Sequence, residues 1–212
     1  MEPCSPSCIF FDLDETLYPP GIGVWEEIGR RINRFLMERM GTPQEDVNIL
    51  REKFFIQYGT TLTGLRAEYE VDPREYLQFV HDIPLERYLK PDNRLRQLLE
   101  TLPQRKYIFS NADRPYIVRV LSTLGIADQF HGIIDIYATE FICKPMEQAY
   151  RIALEAAGSP SPDTCLYVDD LPRNLPPASR LGIKTVLVHN KVPADLADFH
   201  IETIYQLADL IH

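Results

Sequence analysis

No stretch of this 212-residue chain approaches the roughly twenty consecutive apolar residues of a membrane span. Met1 to Ser7 also lacks the basic start and long apolar run of a secretion signal, so a cytoplasmic location is expected. Positive charge is in short supply. Twenty-two Lys and Arg face 31 Asp and Glu, and the net charge of −9 argues against a nucleic acid polymer or an acidic membrane as partner. A small phosphorylated metabolite remains compatible, because one local cation can override the overall field. The cysteines, at 4, 8, 143 and 165, do not form the two close pairs of a zinc site, and reduced structural thiols are expected. The five histidines have no ligand spacing, and His189, after an apolar run, reads as a framework residue. There is no internal repeat. The length suits one domain, or one domain with an insertion; a monomer or homodimer is expected.

What is present is concentrated first in Ile9-Phe10-Phe11-Asp12-Leu13-Asp14-Glu15-Thr16-Leu17. A continuous apolar run is the pattern of a buried strand in a parallel sheet, and ligand chemistry in such sheets collects at the strands' carboxyl ends. That end is where Asp12 and Asp14 fall. Two carboxylates so close need a cation or a shared proton, so a Mg²⁺ site or an acid/base pair is expected.

Tyr18-Pro19-Pro20-Gly21 stops the strand. From Val24 to Met40 the residues Trp25, Ile28, Ile32, Phe35, Leu36 and Met40 recur at helical spacing, and Gly41 closes the helix. Thr42-Pro43-Gln44-Glu45 predicts a capping box opening a second helix through Val47, Leu50, Phe54 and Tyr58. Asp72-Pro73 repeats the start signal. Residues 20–88 thus read as an all-helical insertion, able to serve as a lid. Beyond it, strands are expected at Lys106–Phe109, Gly132–Ile136, Cys165–Val168 and Thr185–Val188. Helical segments separate them, one opened by Asp113, another carrying Met146, Ala149, Tyr150 and Ala153, and a short one at Ile204–Ile211. This alternation predicts a doubly wound, Rossmann-like parallel sheet formed by residues 1–19 and 89–212, with the helical insertion between its first two strands.

Three strand ends carry polar residues that can converge: Asp12 with Asp14, Ser110-Asn111, and Asp169-Asp170. Lys144-Pro145 introduces a helix. A carboxylate that attacks phosphorus is repelled by phosphate and needs a cation between them. Mg²⁺ would draw on Asp12, Asp170 and a backbone carbonyl, while Asp14 is left to protonate a leaving alcohol.

Phe11-Asp12-Leu13-Asp14-Glu15-Thr16 resembles the first motif of the haloacid dehalogenase-like hydrolases. Ser110-Asn111, Lys144-Pro145 and Val168-Asp169-Asp170 are similar to the second, third and fourth. The resemblance implies a catalytic Asp12 nucleophile, Asp14 as general acid/base with its backbone carbonyl on Mg²⁺, and Thr16 bracing the loop. It further implies phosphate binding by Thr16, Ser110, Asn111 and Lys144, and metal binding by Asp12, Asp14 and Asp170. Asp169 and Asn174 would stand behind them, and the insertion resembles a helical cap. The fourth motif departs from the family's Gly-Asp-x-x-x-Asp form and reads Asp-Asp-x-x-x-Asn, a form that also occurs in phosphatase members and that shifts ligand assignment rather than activity. The Leu17-Tyr18-Pro19 context resembles the pyrimidine 5′-nucleotidase branch. Asp169 to Ala178 is also similar to the phosphatase domain of soluble epoxide hydrolase and to sugar phosphatases. Tyr18 and Trp25 are candidates to stack on a base. A dehalogenase would have no use for Asp14 or Asp170, and a non-catalytic scaffold would not need the full set.

Overall fold

The computed structural model describes residues 5–188 and 196–211, so Cys4 and His189 lie outside the described residues. Strand β1 (Cys8–Phe11) is entirely buried. It pairs in parallel with β2 (Arg105–Phe109) on one side and β4 (Cys165–Asp169) on the other. Strands β3 (Gly132–Ile134), β5 (Lys184–Val188) and β6 (Phe199–Ile201) extend the sheet to the order β3-β2-β1-β4-β5-β6, with every pairing parallel. Both faces are covered, which is why the central strands read as unbroken apolar runs. Phe11 lies level with Ile108 and Val168, so Asp12 leaves the sheet between the ends of two neighbouring strands. The doubly wound reading holds, with β6 added to it. Three residues alternating buried, exposed, buried are too short a period-two pattern to announce an edge strand.

The chain divides into two compact units, one of residues 1–20 with 89–212 and the other Gly21–Tyr88. The first unit's helices are α5 (Asn93–Thr101), α6 (Arg114–Leu124), α7 (Glu147–Ala156) and α8 (Leu175–Arg180). Asp113 holds the N-cap position of α6, but the carboxylate that accepts the Arg114 N–H is Asp135, 3.0 Å away. Met146 sits before α7 and is exposed, so Ala149, Tyr150 and Ala153 alone carry its buried face. The segment Ile204–Asp209 is a tight 3₁₀ stretch rather than an α-helix. Cys8, Cys143 and Cys165 are buried and form no disulfide. Among the described residues no helix is long and apolar enough to cross a membrane.

The second unit is helical: α1 (Val24–Met40), α2 (Val47–Tyr58), α3 (Thr61–Tyr69) and α4 (Pro73–His81). Its core stripe on α1 is Val24, Ile28, Ile32, Phe35 and Leu36. Trp25 stands one residue, or about 100°, off that stripe and is exposed. The predicted capping box does not form. Residues 43–46 make a turn, with the Asp46 N–H on the Pro43 carbonyl, and α2 begins only at Val47. Asp72 does cap α4, accepting from the Arg74 N–H at 2.9 Å. Helix α3 has no counterpart in the sequence reading. Thr60 caps it, and its Gly64 lies against Phe54 of α2. At the unit's entry, Gly23 has φ +104° and its Cα passes so near Tyr88 that a Cβ would meet the ring at 2.8 Å. The two ends of the helical unit therefore touch.

Two glycines in this unit should respond oppositely to alanine. A Cβ on Gly64 would lie 2.3 Å from Cγ and Cδ1 of the fully buried Phe54, where no flexible tip can give way. The expected net cost of Gly64→Ala is about 1–3 kcal/mol, overpacking outweighing the better helix propensity. A Cβ on Gly29 meets nothing closer than Arg51 at 3.5 Å, so Gly29→Ala should be neutral or stabilising by up to about 1 kcal/mol. Thermal unfolding of the two variants checks the contrast.

Candidate active site

Just past β1 the chain makes one helical turn, with the Leu17 N–H on the Leu13 carbonyl at 3.0 Å and Glu15 in a left-handed conformation at φ 56°. That turn fixes where Asp12, Asp14 and Thr16 go. Asp12 is buried at the strand end, its own N–H bonded to the Val168 carbonyl at 2.9 Å. The Lys144 Nζ donates to Asp12 Oδ1 at 2.7 Å, to Asp169 Oδ2 at 3.0 Å and to the Phe109 carbonyl at 3.0 Å. It also lies over the rings of Phe109 and Tyr167. Residues from three strand ends and the loop before α7 thus meet at one ammonium.

The charge count is uneven. Carboxylate oxygens of Asp12, Asp169 and Asp170 all lie within 4.8 Å of one another, and all three residues are buried. Burial raises the Asp12 pKa to about 7, with Asp169 and Asp14 adding to the effect and Lys144 opposing it. Burial also raises Asp170, to about 9, reinforced by the charges of Asp12 and Asp169. Burial works against the Lys144 charge, but Asp12 and Asp169 outweigh it and push its pKa up. Lys144 bonds two of the three carboxylates directly, and Arg173 adds a second positive charge within electrostatic reach of Asp169. An all-oxygen cluster short of positive charge fits a hard divalent cation such as Mg²⁺.

Asp169 is held by several donors. Besides Lys144 it accepts from the Leu171 N–H at 2.7 Å, from both contacts of the Asn174 amide at 2.9 and 3.1 Å, and from the Tyr167 hydroxyl. Tyr150 in turn donates to the Asn174 carbonyl at 2.6 Å. These donors orient Asp169 toward Lys144. Asp12 and Asp170, with Asp169, form the group of carboxylates that could hold a cation.

The remaining sequence candidates divide. Thr16 is fully buried and donates to Asp170 Oδ1 at 3.4 Å, which ties the β1 turn to the end of β4 and suits bracing rather than contact with a ligand. Ser110 Oγ accepts from the Ala112 N–H at 3.1 Å, a contact that does not use its O–H donor. Asn111 does not present its side chain as expected. Its Oδ1 accepts the Lys144 N–H at 2.8 Å and its Nδ2 donates to the Lys144 carbonyl at 3.1 Å, so the amide clamps the lysine's main chain. The Asp14 carboxylate stands outside the three-acid cluster. Its Oδ1 accepts from Tyr18 at 2.5 Å and from Tyr116 at 2.7 Å. Tyr18 is therefore buried, with its hydroxyl engaged, rather than a surface for stacking. Tyr116 escaped the sequence reading because it lies 102 residues from Asp14 and looks like an ordinary core aromatic of α6.

A family model described as haloacid dehalogenase-like hydrolase matches residues 6–182. Phosphate metabolism protein 8 of Saccharomyces cerevisiae is 31% identical over 192 residues, which cover 84% of this chain. The chain spans 60% of that yeast protein's length. Among solved structures, magnesium-bound YfnB of Bacillus subtilis, described as a HAD-hydrolase, superposes with TM-score 0.66 at 16% identity, covering 98% of this chain and 99% of the other. L-2-haloacid dehalogenase of Xanthobacter autotrophicus, with chloropropionic acid covalently bound, gives TM-score 0.60 at 19% identity, covering 97% and 98%. At such identities the two structures speak to the fold alone.

Proposed function

Because the chain belongs to the haloacid dehalogenase-like hydrolases, we propose that it is a Mg²⁺-dependent phosphatase of small phosphate monoesters, working through an aspartyl-phosphate on Asp12. The observation that carries this reading is the buried Asp12 carboxylate at a strand end, paired with Lys144 inside a cluster of three acids. Asp12 attacks phosphorus while the P–O bond to the alcohol breaks. Lys144, already 2.7 Å from the nucleophile, stays beside it and stabilises the equatorial oxygens as charge shifts onto them. Asp14 gives its proton to the departing alkoxide, then takes one from the water that hydrolyses the acyl phosphate. Ser110 offers its O–H to the phosphate, and Asn111 acts through Lys144 by fixing its main chain. Asp12 and Asp170, with the Asp14 backbone carbonyl, would hold Mg²⁺, which screens phosphate charge from the attacking carboxylate. The dehalogenase alternative leaves Asp14 and Asp170 without work.

For substrate we assign a pyrimidine nucleoside 5′-monophosphate, supported by the Leu17-Tyr18-Pro19 context; the yeast relative's name, which refers to phosphate metabolism, supports phosphate chemistry alone. The helical unit Gly21–Tyr88 is the segment we assign to discriminating among leaving groups. The acidic balance of −9 favours a terminal phosphate on a small molecule over a polymer. The test is kcat/KM for UMP, CMP, AMP, GMP and a set of sugar phosphates at constant Mg²⁺. UMP and CMP are expected to lead. A preference of about tenfold for a sugar phosphate, equivalent to about 1.4 kcal/mol, would overturn the nucleotidase assignment in favour of a sugar phosphatase.

The raised acids also set a pH dependence. Their unfolded pKa values are about 3.9, so the folded chain binds more protons than the unfolded one across the interval up to the raised values. Metal-free stability is therefore expected to fall as pH rises from about 4 through about 9. Mg²⁺ binds the ionised carboxylates and should oppose that fall. The gain in Tm on adding millimolar Mg²⁺ should be larger at about pH 9 than at about pH 6. A gain independent of pH would place the ion elsewhere.

A further inference from the structure

Asp14 has two side-chain dihedrals, and it sits on a turn rather than in a strand or helix. Proton transfer in the transition state demands a carboxyl fixed to a fraction of an ångström, so something must hold it. Two phenol hydroxyls do. Tyr18 follows Asp14 by four residues on the same turn and reaches Oδ1 at 2.5 Å. Tyr116 comes from the first turn of α6 and reaches the same oxygen at 2.7 Å. Both rings are buried, with exposures of 3% and 1%. Tyr18 moves with the turn, whereas Tyr116 ties that turn to a helix packed on the sheet.

We propose that Tyr116, together with Tyr18, is a positioning residue that fixes the Asp14 carboxyl for proton transfer to the leaving alkoxide and from the attacking water. The inference rests on the phosphatase reading above. No proton passes through the phenols. As the ester P–O bond breaks, its electron pair goes to the alcohol oxygen, which takes the proton of Asp14. As water adds to phosphorus and the P–O bond to Asp12 breaks, the water's proton returns to Asp14. The tyrosines keep their protons and determine only where the carboxyl points. Helix α6 begins at Arg114, separated from Ser110-Asn111-Ala112 by the N-cap residue Asp113 alone. One loop therefore connects the proposed phosphate donor to the proposed anchor of the acid.

The readout is the dependence on leaving group, because kcat/KM reports only steps up to departure of the alcohol. An alkoxide needs protonation, and p-nitrophenolate does not. The comparison takes the best alkyl phosphate of the nucleotide and sugar-phosphate panel against p-nitrophenyl phosphate. For Tyr116→Phe, which keeps the ring and its packing, kcat/KM should fall at least about tenfold more on the alkyl ester than on the aryl ester. In an Asp14→Asn background the same change should cost less than about twofold on the alkyl ester, since the group it positions is gone. Tyr18→Phe provides a second variant with the same expected direction and guards against a folding defect in the first. Equal losses on both esters, or a full additional loss in the Asp14→Asn background, would overturn the positioning role while leaving the phosphatase reading intact. Inactivity of wild-type protein on both esters with Mg²⁺ present would overturn both.

Discussion

Replacing Asp12 by asparagine is expected to abolish turnover, by several orders of magnitude, while leaving the fold as stable as before or more so. The loss follows from chemistry, since an amide is a poor nucleophile and cannot form the acyl phosphate. The stability follows from electrostatics. Burial already disfavours the ionised Asp12, whose pKa is raised to about 7, and two further acids stand within 4.8 Å. Asparagine keeps an oxygen for the Lys144 Nζ and removes one of three crowded charges. In metal-free buffer above about pH 7 the Asn variant should melt at or above wild type, and Mg²⁺ should raise its Tm less. Initial rates and thermal unfolding in chelator and in Mg²⁺ measure both halves. A well-folded Asn variant with substantial residual turnover would remove Asp12 as the nucleophile.

Lys144→Met is the change expected to cost the most stability in the sheet unit. The side chains are similar in length, so packing is retained and the charge alone is lost. Asp12 and Asp169 then face each other without the ammonium that bridges them at 2.7 and 3.0 Å, and the Phe109 carbonyl loses a donor. Breaking a buried pair by removing one partner typically costs about 3–5 kcal/mol, because the other charge stays behind. The deficit should shrink as pH falls, since protonating Asp12, whose pKa is already raised to about 7, removes the repulsion, and it should shrink on adding Mg²⁺. Urea unfolding across pH checks this. A loss below about 1 kcal/mol at neutral pH would mean that Asp12 is already neutral without Lys144. Activity should fall with it, and acid pH should not restore it.

The sheet and its strand-end acids were legible because parallel strands buried on both faces leave unbroken apolar runs. Ile9 to Phe11 and Cys165 to Val168 are such runs, and each delivers its aspartates at the carboxyl end. Helix α1 was legible to its end residues because its stripe is regular and Gly41 stops it in a left-handed conformation. Helix α3 was not. It is nine residues long, carries Gly64 in its middle, and buries only Leu62 and Leu65 among its large apolar side chains. The start of α2 was misread because Thr42-Pro43-Gln44-Glu45 also satisfies a turn, which the chain makes instead. At the site, residue types were readable and orientations were not. Nothing in the order of residues says that the Asn111 amide faces the main chain of Lys144, or that Tyr116 spends its hydroxyl on Asp14. Those contacts join segments separated by 33 and 102 residues, and only the assembled sheet end brings them together.

The touching ends of the helical unit bear on how fast the chain can fold. Strand β1 must pair with β2 across the whole insertion, roughly a hundred residues of chain between Phe11 and Ile108. Once Gly23 lies against Tyr88, the insertion becomes a closed bight, and the loop still to be closed is about thirty residues. The closure entropy saved is about 1 kcal/mol, a factor of about five in rate if the helical unit forms first. Its own contacts are local and fast to form, so the order of events is set by chain connectivity. A variant that opens the Gly23–Tyr88 contact, such as Gly23→Val, should therefore slow refolding of the sheet even though it alters no residue of the sheet.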